Sequence, residues 1–442
     1  MVHPHLDAAV PAGTDPREYA RLLRRVHAAV LAGRTPPARP RPVIEDSWAR
    51  MRLRRVDPEN GGRLPMLGRE DIQRHRRESP LEDLLPMLRH ALTAVADDAA
   101  HVMVITDEKC RVLWRDGPAR VRRLADSIGL VEGASWSEDV AGTNAIGTAL
   151  VVGRPLQVYS AEHYVRGLHQ VTCACAPVHD PRNGRPIGAV DVTGAAETVH
   201  PSTLALVNAV AQHAESLLRG WHHAHLERLR VVAAPLLAGM NGRALVVDND
   251  GWTAAAAHME PVRRVLLPRS LEAGVAWLPG VGECHVEPLP GGWLVRPDGG
   301  ETAPVSHLLL DLSDGTAPQV TVSGASGTWS HRLSLRHSEL LFLLARSLNG
   351  RSAAQLAGDL FGDTDRLVTV RAEMSRLRRH LGGVVESRPY RLHEGLRVSV
   401  RTPATPAELL PGSTAPEIRR IRRAADWGQE PVPWADPESL LR

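Results

Sequence analysis

Lysine is nearly missing from this 442-residue chain: Lys109 stands alone, and the other 52 of its 53 basic side chains are arginine. GC-rich coding accounts for the bias, but its chemical consequence holds whatever the cause. A phosphate-binding loop needs Gly-Lys-Ser/Thr, and Lys109 lies in TDEKCRV with neither neighbour. A pyridoxal Schiff base or a kinase-type ATP lysine would have to use that same residue, which reads as part of a hairpin turn. ATP hydrolysis is therefore not expected. Cysteine is scarce too. Cys110, Cys173, Cys175 and Cys284 are too few and too scattered for a disulfide framework. No apolar run approaches the ~20 residues of a membrane span. The opening MVHPHLDAAVPAG lacks the charged-then-apolar order of a secretion signal, so the expected compartment is the cytoplasm and no membrane partner is expected. Phenylalanine occurs twice, at Phe342 and Phe361, and both read as core.

The length allows two to four domains, since single cores rarely grow past ~250–300 residues. Residues 1–84 read as a helical region, with PREYARLLRRVHAAVLAG and RPVIEDSWARMRLRRV as helices and 69–99 as a further helical stretch. From His101 the pattern turns to short strands, HVMVITD, RVLWRDG, PLQVYS, QVTCACAPV and PIGAVDVTG, separated by turn residues. Strands mixed with helices point to an α+β domain at 85–200. Residues 201–239 read as a connector helix. Within it Val207, Val210, Ala214, Leu217 and Trp221 recur at steps of three and four. Two readings stand: a helix packed on the preceding domain, or the seam of a dimer. A second small α+β module is expected at 240–300, with DNDGWTAAAA as its strand-to-helix turn. Residues 301–401 begin with three strands and continue as helices, and 402–442 form a proline-rich tail. The fold class is α+β multidomain.

Positive charge collects near the end of the chain. RLVTVRAEMSRLRRHLGG, residues 366–383, holds five arginines. Val370, Met374, Leu377 and Leu381 form one apolar helix stripe, and the arginines occupy much of the remaining face. Residues 331–401 carry 13 Arg against 7 Asp and Glu, whereas the whole chain is only +3. Two helices precede this one, the second opened by a Ser352–Gln355 capping box, and VVESRPYRLHEGLRVSV behind it reads as a hairpin. Helix, helix, arginine helix, hairpin is the plan of a winged helix-turn-helix, which lays its third helix in the major groove. Guanidinium suits that task because its fork bonds phosphate or the edge of guanine bidentately.

Residues 325–400 resemble the winged-helix output domain of response-regulator transcription factors. The resemblance implies that Thr369, Arg371, Ser375 and Arg378 face DNA, that Arg376 and Arg379 reach phosphate, and that Arg388 sits in the wing. Upstream, Trp136, Asp139, GTNAIGTAL at 142–150, EHY at 162–164, His169, Cys173 and DVTG at 191–194 occur in order, after VIEDSWARM…VDP at 43–58. Together they resemble the GAF sensor domain and N-terminal segment of the acetoin-catabolism activator family of bacterial regulators. That resemblance implies a small-molecule pocket lined by Trp136, Thr143, Asn144, His163, Tyr164, His169 and Cys173. Each also has a structural reading: Trp136 as core, Asn144 as a turn former, the histidines as surface residues. Better-known members of the family continue into an ATPase that remodels the sigma-54 polymerase. The missing phosphate-binding loop sets this chain apart from them. Residues 240–300 resemble a PAS module more loosely.

Cys173 and Cys175 point to one face of a strand. With His163 and His169 they raise metal binding or redox chemistry, and WHHAHLE at 221–227 raises metal binding again. Cys-x-Cys lacks the usual zinc spacing and His163 and His169 have no helical i, i+4 relation, so two small buried cysteines is the simpler reading. The expectation is a one-component regulator and not an enzyme, with no catalytic residues, metal or cofactor beyond an unidentified effector. Its expected partners are double-stranded DNA, the effector, a second copy of the chain, and RNA polymerase as a further candidate. The alternative is a GAF-type methionine sulfoxide reductase or thiol redox sensor using Cys173 and Cys175.

Overall fold

The computed structural model describes residues 6–423 apart from 12, 100, 269–270, 279, 299–304, 325–326, 348, 382–383, 388 and 394. The side chains of 93–99, 305–306, 324, 327–328 and 379–380 also lie outside the described part. The chain divides into two compact units, 1–219 and 220–442. It is a mixed α/β multidomain protein with several sheets.

The first unit opens with α1 (Pro16–Leu31), α2 (Pro42–Leu53), α3 (Arg69–Glu78) and α4 (Leu85–Ala99). Asp15 starts α1 by accepting the N–H groups of Arg17 and Glu18, with proline at the first helical position. The helical stretch expected over 69–99 breaks into two, because Pro80 drives Ser79 into extended backbone and ends α3. The sheet strands are β1 (His101–Asp107), β2 (Val112–Asp116), β3 (Leu156–Tyr159), β4 (Val171–His179) and β5 (Pro186–Ala195). Between β2 and β3 lie α5 (Ala119–Ser127), α6 (Glu138–Ala141) and α7 (Ala145–Val152). The strand order is β2-β1-β5-β4-β3, every neighbouring pair antiparallel.

Both faces of this sheet are covered, which is why β1 is buried at all seven positions and reads as a continuous apolar run. Val102, Val104, Cys173, Cys175 and Ala189 face inward into a core shared with Ile146 and Ala149 of α7. Val26 of α1 and Ile44, Trp48 and Met51 of α2 join that same core, so the packing draws no boundary at residue 84. Met103, Ile105, Ala174, Ala176, Val190 and Val192 face outward against α4 and the start of α8 (Pro201–Ala238). Leu204, Val207, Val210 and Ala214 of α8 are buried there. The stripe read as a possible dimer seam is thus spent, from Val207 to Ala214, on the helix's own sheet.

The second unit contains the end of α8 and a sheet of β6 (Ala244–Asp248), β7 (Thr253–Ala257), β8 (Gly274–Leu278), β9 (Gly282–Leu289) and β10 (Gly292–Pro297), ordered β7-β6-β10-β9-β8. The expected strand-to-helix turn is a hairpin instead. Asp248 Oδ1 accepts the N–H groups of Asp250 and Trp252, and Gly251 turns the chain back at φ 82°. The alanines of TAAAA then pair with β6, so cross-strand bonding overrides their helix preference. Among the described residues of 240–300 there is no helix.

Next come β11 (Val305–Asp311), β12 (Gln319–Gly324) and β13 (Gly327–Arg332), then α9 (Leu335–Ala345), α10 (Ala353–Phe361) and α11 (Leu367–Leu381). A hairpin of β14 (Val385–Ser387) and β15 (Tyr390–Leu392) follows, and β16 (Arg397–Arg401) closes the sheet β13-β12-β11-β16. The capping box forms as read: Ser352 accepts the Gln355 N–H while Gln355 accepts that of Ser352. Phe342 is core, but Phe361 is only partly buried. The segment read as the start of a tail is ordered to Arg423. Leu409, Leu410 and Ala415 are buried, as are Ile418 and Ile421 of α12 (Pro416–Arg423), in the core that α9–α11 share. Residues 424–442 of the expected tail lie outside the described residues.

Candidate functional site

On α11 the predicted stripe is the buried one: Val370, Met374 and Leu377 are fully covered and Leu381 nearly so. Thr369, Arg371, Ser375, Arg376 and Arg378 are all exposed. Arg376 bonds Glu373 one turn back at 2.5 Å. Arg378 donates from Nε to the Val385 carbonyl at 3.1 Å, tying the helix to β14. Glu373 also faces His337 of α9 at 3.5 Å, and that contact draws its carboxyl below the usual value. Beside the helix, Arg336 and Arg366 lie over the Phe361 ring at 4.7 and 5.3 Å, a cation–π contact that accounts for the ring's partial exposure. The Arg379 side chain and Arg388 lie outside the described residues.

The pocket candidates of the first unit fall into three groups. Trp136 and Asn144 have structural bonds. The Trp136 indole donates to the Gly129 carbonyl at 3.3 Å. Asn144 caps α7 by accepting the Gly147 N–H, and its amide donates to the Trp136 and Gly142 carbonyls.

Thr143 belongs to a polar cluster that sequence spacing did not reveal. Glu138, 3% exposed, receives Arg50 of α2 through two bonds of 2.8 Å, together with Ser47 and Thr148. Ser47 in turn bonds Thr143 at 2.7 Å. Burial alone would raise the Glu138 carboxyl, but the guanidinium and hydroxyls hold it below the ordinary value.

His163, Tyr164, His169 and Cys173 do come together. His163 is fully buried, with Nδ1 at 2.9 Å from the Ser160 carbonyl and Nε2 at 3.6 Å from Cys173 Sγ. Burial holds it down to about 4, so the ring is neutral. His169 reaches the His163 carbonyl at 3.2 Å and is held to about 3, chiefly by burial. His27 of α1 joins the group, bonding the Tyr164 carbonyl at 2.9 Å with its ring 4.7 Å from that of His169. Nothing in the sequence near His27 points to these partners. The histidines read as surface residues are therefore wholly or partly buried.

All four cysteines are buried and unbridged. Burial pushes the thiols of Cys173 and Cys175 well above their usual value, which suppresses the thiolate that redox chemistry needs. In WHHAHLE, His222 pairs with Asp248 at 2.8 Å and His225 with the Gly291 carbonyl at 3.1 Å, so the two serve different partners. Among the described residues no three His, Cys, Asp or Glu side chains are placed to hold a metal. None of the described helices is long and apolar enough to cross a membrane.

Two units joined along one chain, one with a buried polar cluster around Glu138 beside its sheet and one with an arginine-bearing helix, define a class of multidomain α/β protein. The chain belongs to the family of the uncharacterized 47.3 kDa protein in the thcA 5′ region of Rhodococcus erythropolis, with which it is 30% identical over 393 residues, 87% of this chain and 72% of that one. Residues 27–216 match the MimR N-terminal domain family. The chain also resembles the acetoin dehydrogenase operon transcriptional activator AcoR of Bacillus subtilis (strain 168), 34% identical over 40% of this chain and 29% of that protein. It also resembles the propane 2-monooxygenase operon transcriptional activator MimR of Mycolicibacterium goodii, 34% identical over 42% of this chain and 31% of that one. The chain spans under a third of the length of these two activators. Both are named as transcriptional activators, in line with the non-enzyme reading.

Proposed function

We propose that this chain is a one-component transcription regulator whose winged helix, residues 301–401, binds promoter DNA. Its N-terminal unit senses a small metabolite through a GAF-like domain, and a PAS-like module lies between sensor and output. Regulation proceeds without ATPase activity, by recruiting or blocking polymerase directly, in the cytoplasm and as a homodimer. One observation carries the reading: α11 buries Val370, Met374 and Leu377 while presenting Thr369, Arg371, Ser375, Arg376 and Arg378 outward. A helix locked on one side and guanidinium-rich on the other fits a groove lined with phosphate. The lysine census supports the absence of an ATPase, and the named activators support the regulatory role. Selection of bound duplexes from a random pool by the purified full chain tests it. A recurrent motif with spaced half-sites is the expected result. Retention of all duplexes without enrichment, with and without cell metabolites, overturns it. Arg371→Ala should cost ~1–3 kcal/mol of binding and loosen the motif if that side chain reads a base edge. An unchanged motif removes it as a reader.

A further inference from the structure

The outward face of α11 has a middle and two edges. At 3.6 residues per turn, Val368 and Ser375 lie roughly opposite the buried Val370, Met374 and Leu377. Arg371 and Arg378 stand along one edge of that face, and Thr369 and Arg376 along the other. From Val368 to Ser375 the middle is therefore uncharged, while cations border it. A groove of nucleic acid has the matching section, with phosphate on both walls and base edges on its floor.

Val368 is the residue that does not fit a merely solvated face. At 77% it is the most exposed large apolar side chain among the described residues. A single exposed valine is ordinary on most surfaces, so its place has to carry the argument. Val231 is almost as exposed, but Val232 and Leu236 of α8 are exposed near it, whereas Val368 is the one such side chain of α11. It also stands in the first turn, where an acidic side chain would steady the helix dipole and where α11 has none. In a helix-turn-helix, the N-terminal residues of the third helix are the ones that reach base edges. An acid there would repel phosphate. A valine there can form no hydrogen bond, and the apolar group that the floor of the major groove offers is the 5-methyl of thymine.

We propose that Val368 is a specificity residue, packing its γ-methyl groups against the 5-methyl of a thymine in the major groove. The proposal rests on the DNA-binding reading above and adds a base to it. Arg371, one turn further on, is displaced by about 4.5 Å along the helix, close to one base step of ~3.4 Å. The thymine pair and the pair that Arg371 meets are therefore neighbours. Facing Val368, a purine N7 or O6 would lose water and gain no donor, so the valine excludes as well as selects.

The test uses the full chain and the tightest duplex recovered from the random pool. Each thymine of one half-site is replaced in turn by uracil, which removes the methyl and leaves pairing and O4 unchanged. At one position the wild type should lose affinity about fourfold, the worth of a single buried methyl. Val368→Ser should bind the thymine and uracil duplexes alike at that position, and keep its sensitivity to changes elsewhere in the motif. Because the side chain is exposed, this variant should melt with the wild type. Should it not, Val368→Ala, the better helix former, should still shrink the ratio, and an unshrunk ratio overturns the assignment. A recurrent motif in which no uracil substitution matters, or a loss that persists unchanged in Val368→Ser, overturns the role of Val368 and leaves the DNA reading standing. A pool that yields no motif overturns the DNA reading itself, and this assignment with it.

Discussion

The two five-stranded sheets share one order, the second strand at the edge, then first, fifth, fourth and third. They share a first hairpin as well. Asp107 Oδ1 accepts the N–H groups of Lys109 and Arg111, as Asp248 Oδ1 accepts those of Asp250 and Trp252. The left-handed residue is Cys110 in one and Gly251 in the other. The sheets differ in what lies between their second and third strands. In the first, residues 117–155 supply α5, α6 and α7 and with them Glu138, Thr143 and Asn144. In the second, the described residues between β7 and β8 form no helix. The free Asp oxygens differ too: Asp107 Oδ2 bonds Arg111 beside it, whereas Asp248 Oδ2 bonds His222 of α8. One scaffold thus carries a buried polar cluster around Glu138, and the other a clasp onto a helix.

The largest effect should come from breaking what covers the first sheet. Glu138→Ala leaves Arg50 charged and buried, and should cost about 3–5 kcal/mol in denaturant unfolding of the full chain. Removing both partners, as Glu138→Leu with Arg50→Met, should cost far less. Equal losses in the single and double variants would mean that the pair's charge is not what matters. The shared hairpin gives the next test. A Cβ at Gly251 would lie 1.8 Å from the Val265 carbonyl oxygen, in a left-handed position worth about 1–2 kcal/mol by itself. Gly251→Ala should therefore destabilise the second unit by at least that much. Cys110→Gly, which relaxes the same position in the first unit at the expense of some burial, should stay within about 1 kcal/mol. A smaller loss, about 1 kcal/mol, is expected for Asn144→Ala, which uncaps α7. Proteolysis at α7 should detect it.

What was legible in the sequence is what local rules decide. The stripe of α11 shows in its spacing, and the capping box of α10 in two residues three apart. The β6–β7 hairpin was missed because four alanines favour helix locally, while their fate rests on pairing with β6. Ile418 and Ile421 of α12 were hidden among prolines, and only packing on α10 makes them core. Arg50 and Glu138 are 88 positions apart, His27 and Tyr164 137, and no periodicity links such partners. Asp191 was legible only as part of DVTG; that its Oδ1 faces no donor is a property of the sheet register.

The finest test sets two buried groups of the first unit against each other. Asp191 is raised from 3.8 to about 7 by burial, so between about pH 4 and 7 the folded chain holds a proton that the unfolded chain has released. Stability from this group therefore falls as pH rises through that window, by about 1.4 kcal/mol per pH unit. His163 acts in the opposite sense. Held to about 4 against an ordinary 6.5, it stays neutral in the fold while the unfolded chain takes up a proton. Its contribution is present above about 6.5 and is lost as pH falls towards 4. The two slopes offset each other in the wild type. Asp191→Asn removes the falling arm, so its unfolding free energy should climb about 1.4 kcal/mol per pH unit more steeply than wild type between pH 4.5 and 6.5. Parallel profiles for the two proteins would mean that Asp191 is already ionised in the fold, with a cation that satisfies it.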